Sequence, residues 1–242
     1  MALNLFKIDL DRSIETEFLG WLSSEELERA QSFGFDHLRS RYVVAHAALR
    51  DILSRYMRCS PSAVAFIYNE WGKPSVESGP YFNLSHSGNV AVVAVDKDLE
   101  IGVDVETGLA SLTFNEMQSV LSPIELEESS DRRPTARDLL QLWVRKEAVL
   151  KAIGKGVGYD PRRITVGFST IDFDHWQQIG AMGEGKQLTF HVLDVNMGSV
   201  ACAVARRDAP IAVASVGSFA FLADPQGAHI QGVVQSAYNR ES

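Results

Sequence analysis

The stretch IGVDVE places Asp104 and Glu106 two residues apart in an otherwise apolar run. In a strand, successive side chains alternate between faces, so the two carboxylates share one face while Ile101, Val103 and Val105 take the other. Two like charges that close repel, and more strongly where water is thinned out. Water at a strand end, a cationic side chain or a metal ion relieves the repulsion. Further along, Trp143, Glu147 and Lys151 lie at i, i+4 and i+8 of LLQLWVRKEAVLKAI, on one helical stripe. A third carboxylate and an ammonium converging on Asp104 and Glu106 would make a site for a metal-bound polyphosphate, since Mg²⁺ commonly sits between one or two carboxylates and substrate phosphate. Each piece also has a plainer reading. Short acidic pairs at strand ends are commonly just solvated, and an exposed i,i+4 Glu–Lys pair contributes roughly a few tenths of a kcal/mol.

A third segment, FNLSHSG (82–88), puts Ser85 beside His86. Adjacent residues of an extended segment point apart, so they do not form a nucleophile–base pair, and there is no GxSxG elbow. A hydroxyl, an imidazole and Gly88 at the mouth of a hairpin suit a phosphate or nucleotide ledge; a polar turn with a solvated histidine accounts for them equally well. Arg29, Arg39, Arg41, Arg50 and Lys73 are scattered cations, each of which alone reads as a solvent-facing charge. Neither a Walker loop nor a GxGxxG after a strand is present, so the standard nucleotide folds have no support.

These groups need elements to hold them. Ser23-Ser24-Glu25-Glu26 reads as a helix start. RYVVAHAALRDILSRY (41–56) has the apolar spacing of an amphipathic helix, after which Pro61 and AVAFIY (63–68) suggest a strand. VAVVAV (90–95) is a central strand by its continuous apolar run, with IGVDVE as its return strand. Residues 139–153 form the second strong helix, closed by Gly154, Gly156 and Gly158.

The pieces recur. Helix 41–56, Pro61 and strand 63–68 are matched 100 positions later by helix 141–153, Pro161 and ITVGF (164–168). The hairpin at Gly88 is matched 110 positions later by the one at Gly198, pairing Val90 with Val200, Ala91 with Ala201, Asp98 with Asp208, Ile101 with Ile211 and Val103 with Val213. Shared order in both halves argues for duplication, with a join near 107–110. The counterparts of Asp104 and Glu106 are then Ala214 and Val216. A strand of this kind does not require the acids, which marks them as functional.

The chain has 242 residues, 45% hydrophobic and 22% charged, the balance of a globular protein with a substantial core. Its net charge of -8 argues against nucleic acid or an anionic membrane as partner. No apolar run approaches the ~20 residues of a membrane span, and the charged N-terminus does not read as a signal peptide. Cys59 and Cys202 fit no CxxC pattern and the six histidines no ligand spacing, which sets zinc aside and fits a reducing, cytoplasmic setting.

Taken together, GKP (72–74), FNLSHSG (82–88), IGVDVE (101–106) and WVRKEAVLKAIGKG (143–156) resemble, in order and spacing, the signature set of Sfp-type 4′-phosphopantetheinyl transferases. The resemblance covers about residues 20–217. It implies an α+β fold of two similar α/β lobes related by a pseudo-twofold axis, 1–108 and 109–242, with the active site in the cleft between them and a flexible tail after about 220. It further implies a cytoplasmic monomer that moves the 4′-phosphopantetheine arm of coenzyme A to a serine of an apo acyl or peptidyl carrier protein. Adenosine 3′,5′-bisphosphate is the other product. Carried over by motif, Asp104, Glu106 and Glu147 hold Mg²⁺ (or Mn²⁺), and Glu147 and Lys151 are catalytic. Arg41, Lys73, Ser85, His86, Asp104, Lys151 and, less directly, Arg29 bind coenzyme A. Glu125 in LSPIELEE is a second candidate base or carrier contact, or simply an acid in the first turn of a helix. Two readings compete: a metal-dependent nuclease or phosphodiesterase, opposed by the net charge, and a non-catalytic module that binds coenzyme A. Which carrier is served is not written in the motifs; selectivity is expected in the segment around 113–137.

Overall fold

The computed structural model describes residues 3–108, 113–168, 176–183, 186–198, 200–208 and 213–218. The tail after about 220 and the last two residues of the expected join, 109–110, lie outside them. The first half runs β1 (Leu3–Asp9), α1 (Thr16–Trp21), α2 (Ser24–Gln31), α3 (Asp36–Met57), β2 (Phe66–Tyr68), β3 (Pro74–Val76), β4 (Tyr81–Ser87), β5 (Val90–Asp96) and β6 (Ile101–Glu106). The second runs α4 (Phe114–Met117), α5 (Pro123–Asp131), α6 (Ala136–Ile153), β7 (Gln177–Gly183), β8 (Lys186–Asp194), β9 (Ala201–Arg207) and β10 (Val213–Ser218).

Two four-stranded sheets carry the architecture, ordered β10-β1-β5-β4 and β6-β9-β8-β7. The long helix α3 packs on the first through Val44, Ala48 and Leu53 against Ile8, Ala91 and Val93. Helix α6 packs on the second through Leu142, Val149 and Ala152 against Phe190, Val192 and Ala203. A third core fills the space between the sheets, where Leu5, Val92 and Ala94 meet Val103, Val105, Cys202 and Val204. Strand β5 is buried along its whole length because helix and second sheet cover its two faces.

The expected return strand goes elsewhere. Strand β6 pairs antiparallel with β9, Asp104 opposite Ala203 and Glu106 opposite Ala201, and not with β5. In the turn before it, Asp96 Oδ1 accepts the N–H groups of Asp98 and Leu99 while Oδ2 receives Arg206 Nε at 2.5 Å. That buried pair bridges β5 to β9 and carries the chain from one sheet to the other. Strand β10 returns the exchange by pairing parallel with β1. Each sheet thus takes an edge strand from the other half of the chain. Two local expectations also shift. The strand expected over 63–68 is confined to Phe66–Tyr68 because Pro61–Ala63 forms a 3₁₀ turn, and Ile164 makes only an isolated bridge, to Ala181.

The same anchoring device occurs in both halves. Ser23 caps α2 and exchanges hydrogen bonds with Glu26; Arg50 of α3 binds Glu26 through Nε at 2.7 Å and donates through Nη1 to the carbonyls of Pro61 and Val64. Ser122 caps α5 with Glu125; Lys146 of α6 binds Glu125 at 2.7 Å and donates to the carbonyls of Pro161 and Ile164. Glu125 also accepts the Val166 and Gly167 N–H groups. Lys146 and Glu125 are wholly buried, so removing the cation strands a charge. Lys146→Met is therefore expected to cost about 3–5 kcal/mol in urea denaturation. Adding Glu125→Gln, which neutralises the stranded carboxyl and keeps an acceptor for both amides, should restore part of it; unchanged stability in the single variant would refute the assignment.

Candidate active site

Strand β4 borders β6 without a backbone ladder between them, and side chains at alternate positions of β4 take the ladder's place. Asn83 Oδ1 accepts the Val103 N–H at 2.9 Å, Ser85 Oγ donates to Asp104 Oδ1 at 2.9 Å, and Ser87 Oγ donates to Glu106 Oε2 at 2.7 Å. Ser87 also accepts the Thr107 N–H at 3.1 Å. Both strand carboxylates are therefore fixed by hydroxyls of one neighbouring strand. Ile101, Val103 and Val105 point into the core between the sheets, so Gly102, Asp104 and Glu106 face α6.

Gly102 sets how near that helix comes. A Cβ there would stand 2.1 Å from the Ala148 carbonyl oxygen and 2.4 Å from the Ala152 nitrogen, so strand and helix touch backbone to backbone. The contact brings the last turn of α6 over β6. Lys151 Nζ meets Asp104 Oδ1 at 2.5 Å and Ser85 Oγ at 2.8 Å. Glu147, one turn earlier on the same stripe, has its pKa raised by burial and by the charges of Asp104 and Glu106, with Lys151 opposing. Trp143 continues the stripe but packs against the α6 core.

A cavity of about 500 Å³ opens beside these groups, lined by Glu147 and Lys151 on one side and by Trp71 and Lys73 on the other. The loop carrying Trp71 is tied to the end of α6: Asn69 Nδ2 donates to the Gly154 carbonyl, and the Trp71 ring lies where a Cβ on Gly158 would stand at 2.4 Å. Lys73 Nζ donates to the carbonyls of Ala152 and Ile101, and burial brings its pKa down to about 8. The α6 terminus is a left-handed Gly154 cap followed by the Gly156–Gly158 turn, and a Cβ on Gly154 would stand 2.7 Å from Lys73 Cδ.

His86 leaves β4 on the opposite face from Ser85 and lines a second cavity together with Arg41. Its pKa is lowered by desolvation and then by Lys151 and His46, with Glu106 opposing. Arg41 is held at that cavity by Asp11 at 2.8 Å. Arg29 is not part of the lining; its guanidinium packs over the Phe33 ring at 5.3 Å. Glu125 takes the structural place of a helix-capping acid. It is fully buried in its capping box and its ion pair with Lys146, and it lines neither cavity. Asn83 and Ser87 were missed. The signal was available, as polar residues alternating with Phe82 and Leu84 in a strand whose two faces differ.

Among the described residues, no group of three or more His, Cys, Asp or Glu stands arranged to hold a metal ion. The donor chemistry nonetheless suits a hard dication. Asp104 Oδ2 is buried and has no hydrogen-bond partner among the described residues, an acceptor that calls for a cation. The charge of Glu106 is felt at Glu147, which places the two carboxylates near one another. Oxygen ligands of this kind fit Mg²⁺, which takes few carboxylates and completes its shell with water and substrate phosphate, so a closed protein cage is not required.

A profile of the 4′-phosphopantetheinyl transferase superfamily matches residues 100–212, which hold β6, α6 and β9. The 4′-phosphopantetheinyl transferase HetI of Nostoc sp. is 36% identical over 169 residues, covering 64% of this chain and 70% of that protein. A Synechocystis sp. protein carrying the 4′-phosphopantetheinyl transferase name is 32% identical over 154 residues, covering 61% of this chain and 63% of that protein, a little under two thirds of its length. A 4′-phosphopantetheinyl transferase of Bacillus subtilis is 26% identical over 163 residues, covering 64% of this chain and 72% of that protein.

Proposed function

The chain belongs to the 4′-phosphopantetheinyl transferase superfamily, and on that footing we propose that it transfers the 4′-phosphopantetheine arm of coenzyme A to a serine hydroxyl of an apo acyl or peptidyl carrier protein. The observation that carries this reading is the convergence of Asp104, Lys151 and Ser85 within hydrogen-bond distance, with Glu147 beside them on the wall of a cavity of about 500 Å³. The carrier serine oxygen attacks the β-phosphorus of coenzyme A, the bond to the bridging oxygen breaks, and adenosine 3′,5′-bisphosphate leaves with the electron pair. Glu147 receives the serine proton, a task its raised pKa suits. Lys151 neutralises charge that develops on the phosphoryl oxygens, and Asp104 orients Lys151 through their 2.5 Å contact. Asp104, Glu106 and Glu147 would hold Mg²⁺, which supplies Lewis-acid polarisation of the pyrophosphate. Ser85 lies toward the pyrophosphate, Arg41 and His86 toward the 3′-phosphate with Arg29 at its outskirts, and Lys73 toward the adenine.

With this reading go a cytoplasmic monomer and a duplicated scaffold of two α/β units, 1–108 and 109–242, that have exchanged an edge strand. The duplication is supported by the matching anchors, Ser23–Glu26–Arg50 to Pro61 and Val64, and Ser122–Glu125–Lys146 to Pro161 and Ile164.

The test is direct. Purified chain, coenzyme A, Mg²⁺ and a panel of apo carriers are incubated, and carrier mass is read by mass spectrometry. The expected result is a covalent gain of about 340 Da, the phosphopantetheinyl group, on at least one carrier and only with Mg²⁺ or Mn²⁺ present. No gain on any carrier by folded protein would overturn the reading.

A further inference from the structure

The second cavity, of about 290 Å³, holds a group that no step above employs. Its wall includes the apolar Leu10 and Phe33, and three side chains that can carry positive charge: Arg41, His46 and His86. No carboxylate lines it among the described residues. We propose that His46 is a binding residue for a phosphate monoester in this cavity, acting beside Arg41 and His86 and held in position by Glu26. If the functional reading above holds, that monoester is the 3′-phosphate of coenzyme A.

His46 sits on α3 with Nδ1 3.2 Å from Glu26 Oε1. The other oxygen of Glu26 accepts Arg50 Nε at 2.7 Å and the Ser23 N–H at 2.8 Å. Burial pushes the Glu26 pKa up, but hydrogen bonds from His46, Ser23 and Arg50 outweigh it and hold the carboxyl ionised. An ionised carboxylate only accepts, so the proton of His46 belongs on Nδ1 and Nε2 is the nitrogen left for a ligand. The Tyr42 ring stacks on the imidazole at 4.0 Å and 28°, which fixes the ring plane. A quarter of the side chain remains exposed, enough for its outer edge to reach the cavity. A histidine that is merely satisfied would need no partly open cavity with an arginine and a second histidine in the same wall.

Neutral Nε2 presents a lone pair, which repels an anion; protonated, it donates to the anion while Glu26 stabilises the imidazolium from behind. Glu26 and Arg50 stand behind the ring and Tyr42 beside it, and Arg41 and His86 share the cavity wall with it.

Isothermal titration of the full chain with adenosine 3′,5′-bisphosphate and with 5′-AMP, which differ only by the 3′-phosphate, tests this. The wild-type chain should prefer the bisphosphate. His46→Gln should lower the preference about tenfold through the bisphosphate alone, leaving 5′-AMP unchanged. His46→Arg, which keeps a cation before Glu26, should restore the preference. An unchanged preference in His46→Gln, or equal weakening of both nucleotides, would overturn the assignment. Carrier modification is scored separately. A chain that selects the bisphosphate through His46 yet modifies no carrier retains this inference and loses the functional reading, and the converse pattern does the reverse.

Discussion

Glu147→Gln is expected to lower kcat for carrier modification about 10³-fold, the usual scale for removing a positioned general base. The substitution keeps size and shape and removes only charge and basicity, so the α6 stripe and the Lys151–Asp104 contact should survive. Adenosine 3′,5′-bisphosphate binding, read calorimetrically, should stay within a few-fold, because Arg41 and His86 lie at a different cavity. The pH profile supplies a second readout. A carboxyl whose pKa is raised is protonated at higher pH than an ordinary one, and the protonated form accepts no proton. The acidic limb of kcat/KM should therefore fall at a higher pH than for an unperturbed glutamate, and it should be absent in Glu147→Gln. Asp104 is, after burial, the first neighbour that raises Glu147, so the weakened Asp104→Asn enzyme should show its acidic limb displaced to lower pH. A Glu147→Gln enzyme within tenfold of wild type, or a limb that does not move with Asp104, would assign the base elsewhere.

What could be read from residues alone divides by range. The shared face of Asp104 and Glu106 follows from the period of a strand, and the Glu147–Lys151 stripe from the period of a helix; both are local and both stand in the structure. Strand partnership is not local. IGVDVE announces a strand, but its ladder to β9 is made with residues about a hundred positions away, and a short turn suggested a hairpin instead. The clue was Asp96, a carboxylate at the end of an apolar run, which proves to cap the turn and hold Arg206 of the other sheet. His46 was passed over because a single polar residue in RYVVAHAALRDIL reads as a tolerated interruption until Glu26, twenty residues earlier, is seen beside it. Glu125 went the other way. SPIE carries both a capping box and a spare carboxylate, and burial against Lys146 decides for the cap.

The tightest joint of the site is a glycine, and Gly102→Ala is expected to be as damaging as any loss of charge. The added methyl would meet the Ala148 carbonyl oxygen at 2.1 Å, the Ala152 nitrogen at 2.4 Å and the Lys151 carbonyl carbon at 2.9 Å. All three are backbone atoms of α6, so no side-chain rotation relieves the clash. Either β6 leaves β9, which would forfeit a buried ladder, or α6 withdraws by an ångström or so, which costs packing. Helix withdrawal is the cheaper response, at about 1–3 kcal/mol for an overpacked core site. It would draw Lys151 off Asp104 and Glu147 away from the strand carboxylates, and a misplacement of about 1 Å can cost roughly 10²-fold in rate. The expected signature is therefore a folded protein with a lowered thermal midpoint and carrier modification reduced about a hundredfold or more. A large-to-small change in the first half of the same helix, Leu142→Ala, serves as control, because it should lower stability comparably or more and leave more of the rate. If Gly102→Ala kept wild-type turnover, strand–helix contact at this residue would not be what sets the geometry of Asp104, Glu147 and Lys151.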